Sequence, residues 1–290
     1  NISYSQYSMW KKCPKQWALQ YRDGHKIYTP SVHTVFGKAL HEAFQHYIEV
    51  MYTKSAAAAD REDILGLLKD KLREHYQDEY KKNNNQHFSD PGELSEFYDD
   101  GVEILNYLKK NRGKYFSKRG WHLVGIETPI TMPPIQYNPN VLFIGYLDIV
   151  MYNETLNKFK IIDIKTSTNG WKLNYVKNDE DKQFQLILYK KFFAEQFGVP
   201  EKNIDIEFFI TRRKVYTGGD YPQKRFQMYE PPSGKIKIGR ATKALNEFIN
   251  ECFIKSEYTT KEMQANPSKW NCGFCSYKND KKLCGLGAHL

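Results

Sequence analysis

A chain of 290 residues with 40% hydrophobic and 27% charged residues is long and apolar enough to bury a core without disulfide staples. No apolar run reaches the ~18 residues of a membrane span, and no basic stretch leads into an apolar one at the start, so neither a membrane helix nor a secretory signal is expected. Lys+Arg 43 against Asp+Glu 34 leave a formal charge of +9, which favours a polyanionic partner without naming one.

The opening segment carries Cys13-Pro14 and Trp17 ahead of the first strong helix signal. Thr34 reads as the N-cap of that helix, and apolar residues at 36, 40, 43, 44, 47 and 51 keep a 3.6 period. Two more helical stretches, roughly 60–80 and 93–112, are divided by Lys81-Lys82-Asn83-Asn84-Asn85, so residues 52–115 read as a helical lobe. Strand patterns follow at Trp121 to Ile130, Val141 to Tyr152 and Lys158 to Thr166, the first ended by Pro133-Pro134. A helix from about Asp181 to Phe197 stops at Gly198 and Pro200. Strands at Ile204 to Thr211 and Arg225 to Tyr229 and a helix over about 239–254 complete the order. Helices, a three-strand meander, then helix, strand, strand and helix describe an α/β fold with a mixed β-sheet flanked by helices.

In the strand Phe159 to Lys165, side chains alternate, so Asp163 and Lys165 share one face while Ile162 and Ile164 share the other. A hairpin turning between Thr155 and Leu156, with Glu154 to Asn157 as its loop, sets Asp148 opposite Asp163. Opposed residues have Cβ atoms ~4.5–5.5 Å apart, and two carboxylates so placed repel. A divalent cation relieves that repulsion, and hard oxygen ligands suit magnesium or manganese. The plainer alternative is one acid on a solvated edge, paired with Lys165. Gly37 and His41 lie on one helix face at i and i+4, and Gly37 clears space beside the imidazole. Gln185 and Tyr189 repeat that spacing on a helix otherwise rich in apolar residues, as a polar ridge or as an ordinary helix flank.

Five cysteines, an odd count without a secretion signal, point to a reducing compartment and metal-bound thiolates. Cys272-Gly273-Phe274-Cys275 is followed by Cys284. Cys252 sits beside Phe248, Ile249 and Phe253 and reads as a small buried hydrophobe, which leaves Cys13 as the fourth ligand. Four thiolates fit zinc or an iron–sulfur cluster, and spacing alone favours zinc. The basic stretches Lys109-Lys110-Asn111-Arg112, Lys118-Arg119 and Arg212-Arg213-Lys214 are candidates for tracking a phosphate backbone or are solvated faces.

Gly37-x-x-x-His41, Gly145-x-x-Asp148, Asp163-x-Lys165 and Gln185-x-x-x-Tyr189, in that order, resemble the motif series of RecB-like nucleases of the PD-(D/E)XK superfamily. The resemblance implies a restriction-endonuclease-like core with a helical insertion and a terminus tied by a metal cluster. It implies that His41, Asp148, Asp163 and the Ile164 carbonyl bind the catalytic metal. Lys165 would orient or activate the attacking water, while Gln185 and Tyr189 support the DNA backbone and the lysine. Asp163 stands where many superfamily members carry Glu, and Glu127 is a possible further acid. One cysteine ahead of these motifs and three behind resemble the AddB-type and CRISPR-associated exonucleases, which implies a 4Fe-4S cluster on Cys13, Cys272, Cys275 and Cys284. The segments expected are then 1–51 with Cys13 and the His41 helix, the lobe 52–115, the nuclease core 116–256 and the cysteine region 257–290. The activity implied is metal-dependent hydrolysis of single-stranded DNA or DNA ends in recombination, repair, CRISPR adaptation or phage DNA processing. That implies a cytoplasmic protein, prokaryotic or phage-encoded, with DNA as partner and protein partners open. The other readings are a non-catalytic iron–sulfur DNA-binding scaffold and a structure-specific endonuclease.

Overall fold

The computed structural model describes residues 1–116, 119–133, 141–216, 218 and 223–284, so Lys118 and Pro134 lie outside the described residues. Helices α1 (Tyr4–Lys12), α2 (Pro14–Trp17), α3 (Val32–Thr53), α4 (Ala56–Arg61), α5 (Ile64–Lys82) and α6 (Pro91–Tyr115) precede the main sheet. Its strands are β1 (Trp121–Met132), β2 (Phe143–Asn153), β3 (Lys158–Ser167), β4 (Ile204–Arg212) and β5 (Phe226–Tyr229), adjacent in that order. Helices α7 (Leu173–Asn178) and α8 (Glu180–Phe197) follow β3, and α9 (Lys235–Cys252) follows β5. The first three strands form an antiparallel meander, and β3 pairs with β4 in parallel. A parallel pair needs a crossover, and α8 supplies it. This is the mixed sheet flanked by helices that the sequence predicts.

Each face of the sheet carries its own core. Trp10, Trp17, Phe143, Phe192, Phe208 and Phe248 join α1, α2, α8 and α9 to one face. Phe36, Phe44, Ile162, Ile164 and Phe209 join α3 to the other, and Leu68, Ile104 and Leu108 bring α5 and α6 into that same core. The helices between 52 and 115 are therefore a layer on α3 and the sheet. Neighbours Phe208 and Phe209 face opposite cores, as strand alternation requires, and full burial of each stabilises the fold by ~1.5–3 kcal/mol. Among the described residues, no helix is long and apolar enough to cross a membrane.

Local signals explain most boundaries. Asp179 caps α8 by accepting the Lys182 N–H at 3.1 Å, and Gly198 ends the helix at φ +66°. Helix α3 begins earlier than its sequence suggests: Ser31 is extended (φ −147°, ψ 127°), and its carbonyl accepts the N–H groups of Thr34 and Val35. Thr34, expected as the cap, sits inside the first turn. The β2–β3 loop is Glu154 to Asn157, with Asn157 at φ +49°, a conformation asparagine tolerates.

Two of the basic stretches are structural. Lys109 donates to the carbonyls of Asp60 and Glu62, and Arg112 pairs with Asp60 at 2.8 Å. Arg213 and Lys214 both engage Glu96 and Asp100, and Arg213 stacks 3.8 Å above the Phe97 ring. These contacts fasten α4 to α6 and α6 to the end of β4, so those cations are not a free track for phosphates.

Candidate functional site

Strands β2 and β3 pair from Asn153↔Lys158 to Ile149↔Ile162, and there the ladder ends. One step further, in the same register, stand Asp148 and Asp163. The strands fork because β2 changes face at this point: Leu147 packs in the α8-side core, whereas Ile149 packs in the α3-side core. Beyond the fork, Ile2 bridges to the start of β2, with Ile144 N–H donating to the Ile2 carbonyl at 2.8 Å. The Asp148 carboxylate fills the gap and accepts the Ile164 N–H at 2.6 Å.

His41 reaches the fork from α3, with Nδ1 3.8 Å from Asp148 Oδ2. Burial, then the Lys165 ammonium, pushes the imidazole down to about 4 against a backbone hydrogen bond at Ile164. It is therefore neutral near pH 7, and its contact with Asp148 is not an ion pair. The space beside Gly37 is taken by Thr166, whose Oγ1 lies 3.3 Å from where a Cβ would be, so this glycine lets α3 approach β3.

The two carboxyls are held well away from their ordinary behaviour. Burial raises Asp148, and Asp163 and Glu127 raise it further, while Lys165 and the Ile164 N–H pull the other way. Burial also raises Asp163, opposed by Lys165. Lys165 Nζ lies 2.8 Å from Asp163 Oδ2, yet that buried oxygen has no aligned hydrogen-bond partner among the described residues. Burial works against the Lys165 charge, but Asp163, Asp148 and Tyr189 outweigh it and raise the ammonium.

Tyr189 approaches from α8. Its ring packs against Gly145, where a Cβ would come within 2.7 Å of Cε1. Gln185 Nε2 donates to the Tyr189 hydroxyl at 3.4 Å. Burial pushes that phenol up to about 12, so it stays protonated. All six candidate side chains, from α3, β2, β3 and α8, thus converge on the fork.

Spacing alone misses a further residue here, Gln45. It lies four residues after His41 on α3, and its amide donates to Glu127 Oε1 at 2.6 Å and to the Asp148 carbonyl at 3.2 Å. Glu127 stands across from Asp148 in the β1–β2 register, with the left-handed backbone of φ +49°. The i, i+4 spacing of His41 and Gln45 puts both on one helix face, but the partners that give Gln45 its part come from β1 and β2.

The donor chemistry suits a hard divalent cation: two carboxylates, a neutral imidazole and the Ile164 carbonyl. The buried Asp163 Oδ2, without an aligned hydrogen-bond partner among the described residues, and the raised titration of both acids fit such a cation. Among the described residues, no three His, Cys, Asp or Glu side chains are drawn into a ready-made metal-binding group, and at the fork the Lys165 ammonium lies against Asp163.

Lys165 also lines a cleft of about 610 Å³ bounded by α1, the α7–α8 turn and the C-terminal segment. Lys11, Lys12, Lys182 and Trp171 face it. Sequence reading does not connect these residues, since some 170 positions separate Lys12 from Lys182.

All five cysteines are free thiols. Cys252 is fully buried in α9, where burial pushes its thiol up, as suits a small core residue. Burial also raises Cys275, and Cys13, Cys284 and Cys272 raise it further against a backbone hydrogen bond at Tyr277. The termini meet directly: Asn266 N–H donates to Cys13 Sγ at 3.4 Å, and the Tyr277 hydroxyl lies 2.6 Å from the His25 carbonyl oxygen.

A family model described as the PD-(D/E)XK nuclease superfamily matches residues 1–280. No curated protein matches the chain.

Proposed function

The chain belongs to the PD-(D/E)XK nuclease superfamily, and from that premise we propose that it is a divalent-metal-dependent deoxyribonuclease, an exonuclease of the RecB-like branch that acts on single-stranded DNA or DNA ends. The observation that carries this reading is the fork, where Asp148 and Asp163, His41 and Lys165 converge from three elements.

Asp148, Asp163, His41 and the Ile164 carbonyl would hold magnesium or manganese. Such a cation, when bound, supplies the charge that activates water and offsets charge on the phosphate. The chain's own groups do the rest. Neutral His41 offers a lone pair rather than a second cation. The Ile164 N–H fixes one oxygen of Asp148 and leaves the other free. Lys165 is 31% exposed toward the cleft, so its ammonium reaches a bound phosphodiester and stabilises the negative charge that develops there. Protonated Tyr189, steadied by Gln185, backs the lysine on its α8 side.

The four-cysteine group is proposed to hold a 4Fe-4S cluster, with zinc as the alternative. Cys13, Cys284 and Cys272 each raise the Cys275 thiol, which supports a common neighbourhood for the four, although among the described residues they are not drawn into a metal-binding group. The cluster's part is structural: it fastens the C-terminal segment to α1 and α2 and so closes the long chain loop between them. Brown colour, with iron and acid-labile sulfide in protein prepared without air, is the expected result; colourless, zinc-loaded protein decides for zinc.

Incubation with end-labelled single-stranded DNA and manganese tests the activity. Stepwise shortening is expected, abolished by chelator and by Asp163→Ala. Cleavage of circular single strands would reassign the enzyme as an endonuclease. No cleavage, or equal cleavage by Asp163→Ala, would leave a DNA-binding scaffold.

A further inference from the structure

Four lysines line one cleft, Lys11 and Lys12 from α1, Lys182 from α8 and Lys165 from β3, and Lys12, Lys165 and Lys182 bring their ammonium groups together. They are close enough to act on one another. Burial lowers the Lys182 ammonium, and Lys165 and Lys12 lower it further against the pull of Asp179. The acids on the rim are already engaged. Asp179 caps α8, and Asp181 Oδ1 accepts the Tyr7 hydroxyl at 2.6 Å. Neither Lys12 nor Lys182 forms an ion pair among the described residues. Lys165 is answered by Asp163, but Lys12 and Lys182 stand beside it without an ionic partner among the described residues, and an anion between them removes the repulsion.

Aromatic surface lies among these cations. The Lys182 ammonium sits 3.9 Å above the Trp171 ring. Phe208 braces that ring at 5.1 Å, and the Gln227 side chain clamps the Trp171 backbone by accepting its N–H and donating to its carbonyl, both at 2.9 Å. Trp171 is thus held rigidly at the cleft. Lysines interleaved with ring faces suit an unpaired nucleic-acid strand, which offers phosphates and base faces together. A duplex offers its phosphates and groove edges but keeps its base faces stacked.

We propose that this cleft seats the unpaired DNA strand on one side of the scissile phosphate, with Lys12 and Lys182 on its phosphates and Trp171 against a base. This rests on the nuclease reading of the fork, and it makes these residues the determinants of single-strand preference.

Binding of a labelled oligothymidylate and of a blunt duplex by the whole protein, followed by fluorescence anisotropy in chelator across a salt series, tests it. Lys12→Gln and Lys182→Gln should each reduce the slope of log affinity against log salt by about 0.7, the value for one single-strand phosphate contact. Trp171→Ala should weaken single-strand binding by at least roughly fivefold and leave duplex binding unchanged, while Trp171→Phe keeps both the fold and the affinity. Unchanged slopes in the lysine variants, or equal affinity of the wild type for duplex and single strand, overturn the proposal. Chelator takes hydrolysis out of the assay, so the two readings fail separately. Altered slopes in a protein that never cleaves DNA reject only the nuclease; cleavage with unaltered slopes rejects only the cleft.

Discussion

Replacing Asp148 with Asn should stabilise the metal-free protein and at the same time end its response to metal. Burial, Asp163 and Glu127 together raise the Asp148 carboxyl well above its ordinary value of 3.8 despite Lys165 and the Ile164 N–H. A carboxyl whose value is raised on folding stabilises the fold fully below its unfolded value and loses that contribution as pH rises through the folded one. At neutral pH that contribution is therefore reduced or lost in the metal-free protein. Asn keeps an oxygen for the Ile164 N–H, now 2.6 Å from the carboxylate, and drops the charge. A net gain of about 1 kcal/mol raises the melting temperature by about 2–4 °C in a protein of this size. Saturating manganese should reverse the order. At one hundred times its Kd, a ligand stabilises by about 2.7 kcal/mol, and only the wild type should receive that. Thermal melts in chelator and in manganese read both effects. An Asn variant that melts below wild type in chelator, or that gains as much from manganese, would refute the reasoning.

Other consequences follow from the same geometry. Cleavage at fixed, sub-saturating manganese should fall as pH falls through the raised Asp148 and Asp163 values, because the metal must then displace protons; a rate that is flat or rising toward acid would contradict this. His41, already down at about 4, should add no inflection near neutrality. Gly145→Ala sets a methyl 2.7 Å from the Tyr189 ring and should cost about 1–3 kcal/mol by overpacking, read as a lower melting temperature together with a lower kcat. Cys13→Ser should reduce bound iron and expose the C-terminal segment to limited proteolysis, while unchanged iron content would remove Cys13 from the ligand set.

The hairpin is legible in the sequence because two local rules agree. Alternating Ile162, Asp163, Ile164 and Lys165 fix the faces of β3, and a four-residue loop ending at Asn157 fixes the register, so Ile149 meets Ile162 as expected. The fork beyond it is not legible. It arises where Leu147 and Ile149 turn to opposite cores and where Ile2, from the far end of the chain, takes up the exposed edge of β2. Charge clusters mislead for the same reason. Nothing local marks Arg213 and Lys214 as partners of Asp100, 113 and 114 residues away, or Lys12 and Lys182 as neighbours across a cleft. Helix pattern does locate His41, Gln185 and Tyr189, but Gln45 becomes visible only once α3 lies against β1 and β2.

Titration of the purified protein with manganese, read by the paramagnetic resonance of the unbound ion, puts the fork to its most immediate trial. The wild type should take up the cation in a site that both Asp148→Asn and Asp163→Asn abolish while remaining folded. Undiminished uptake by either variant would mean that the β2–β3 acids do not hold the metal.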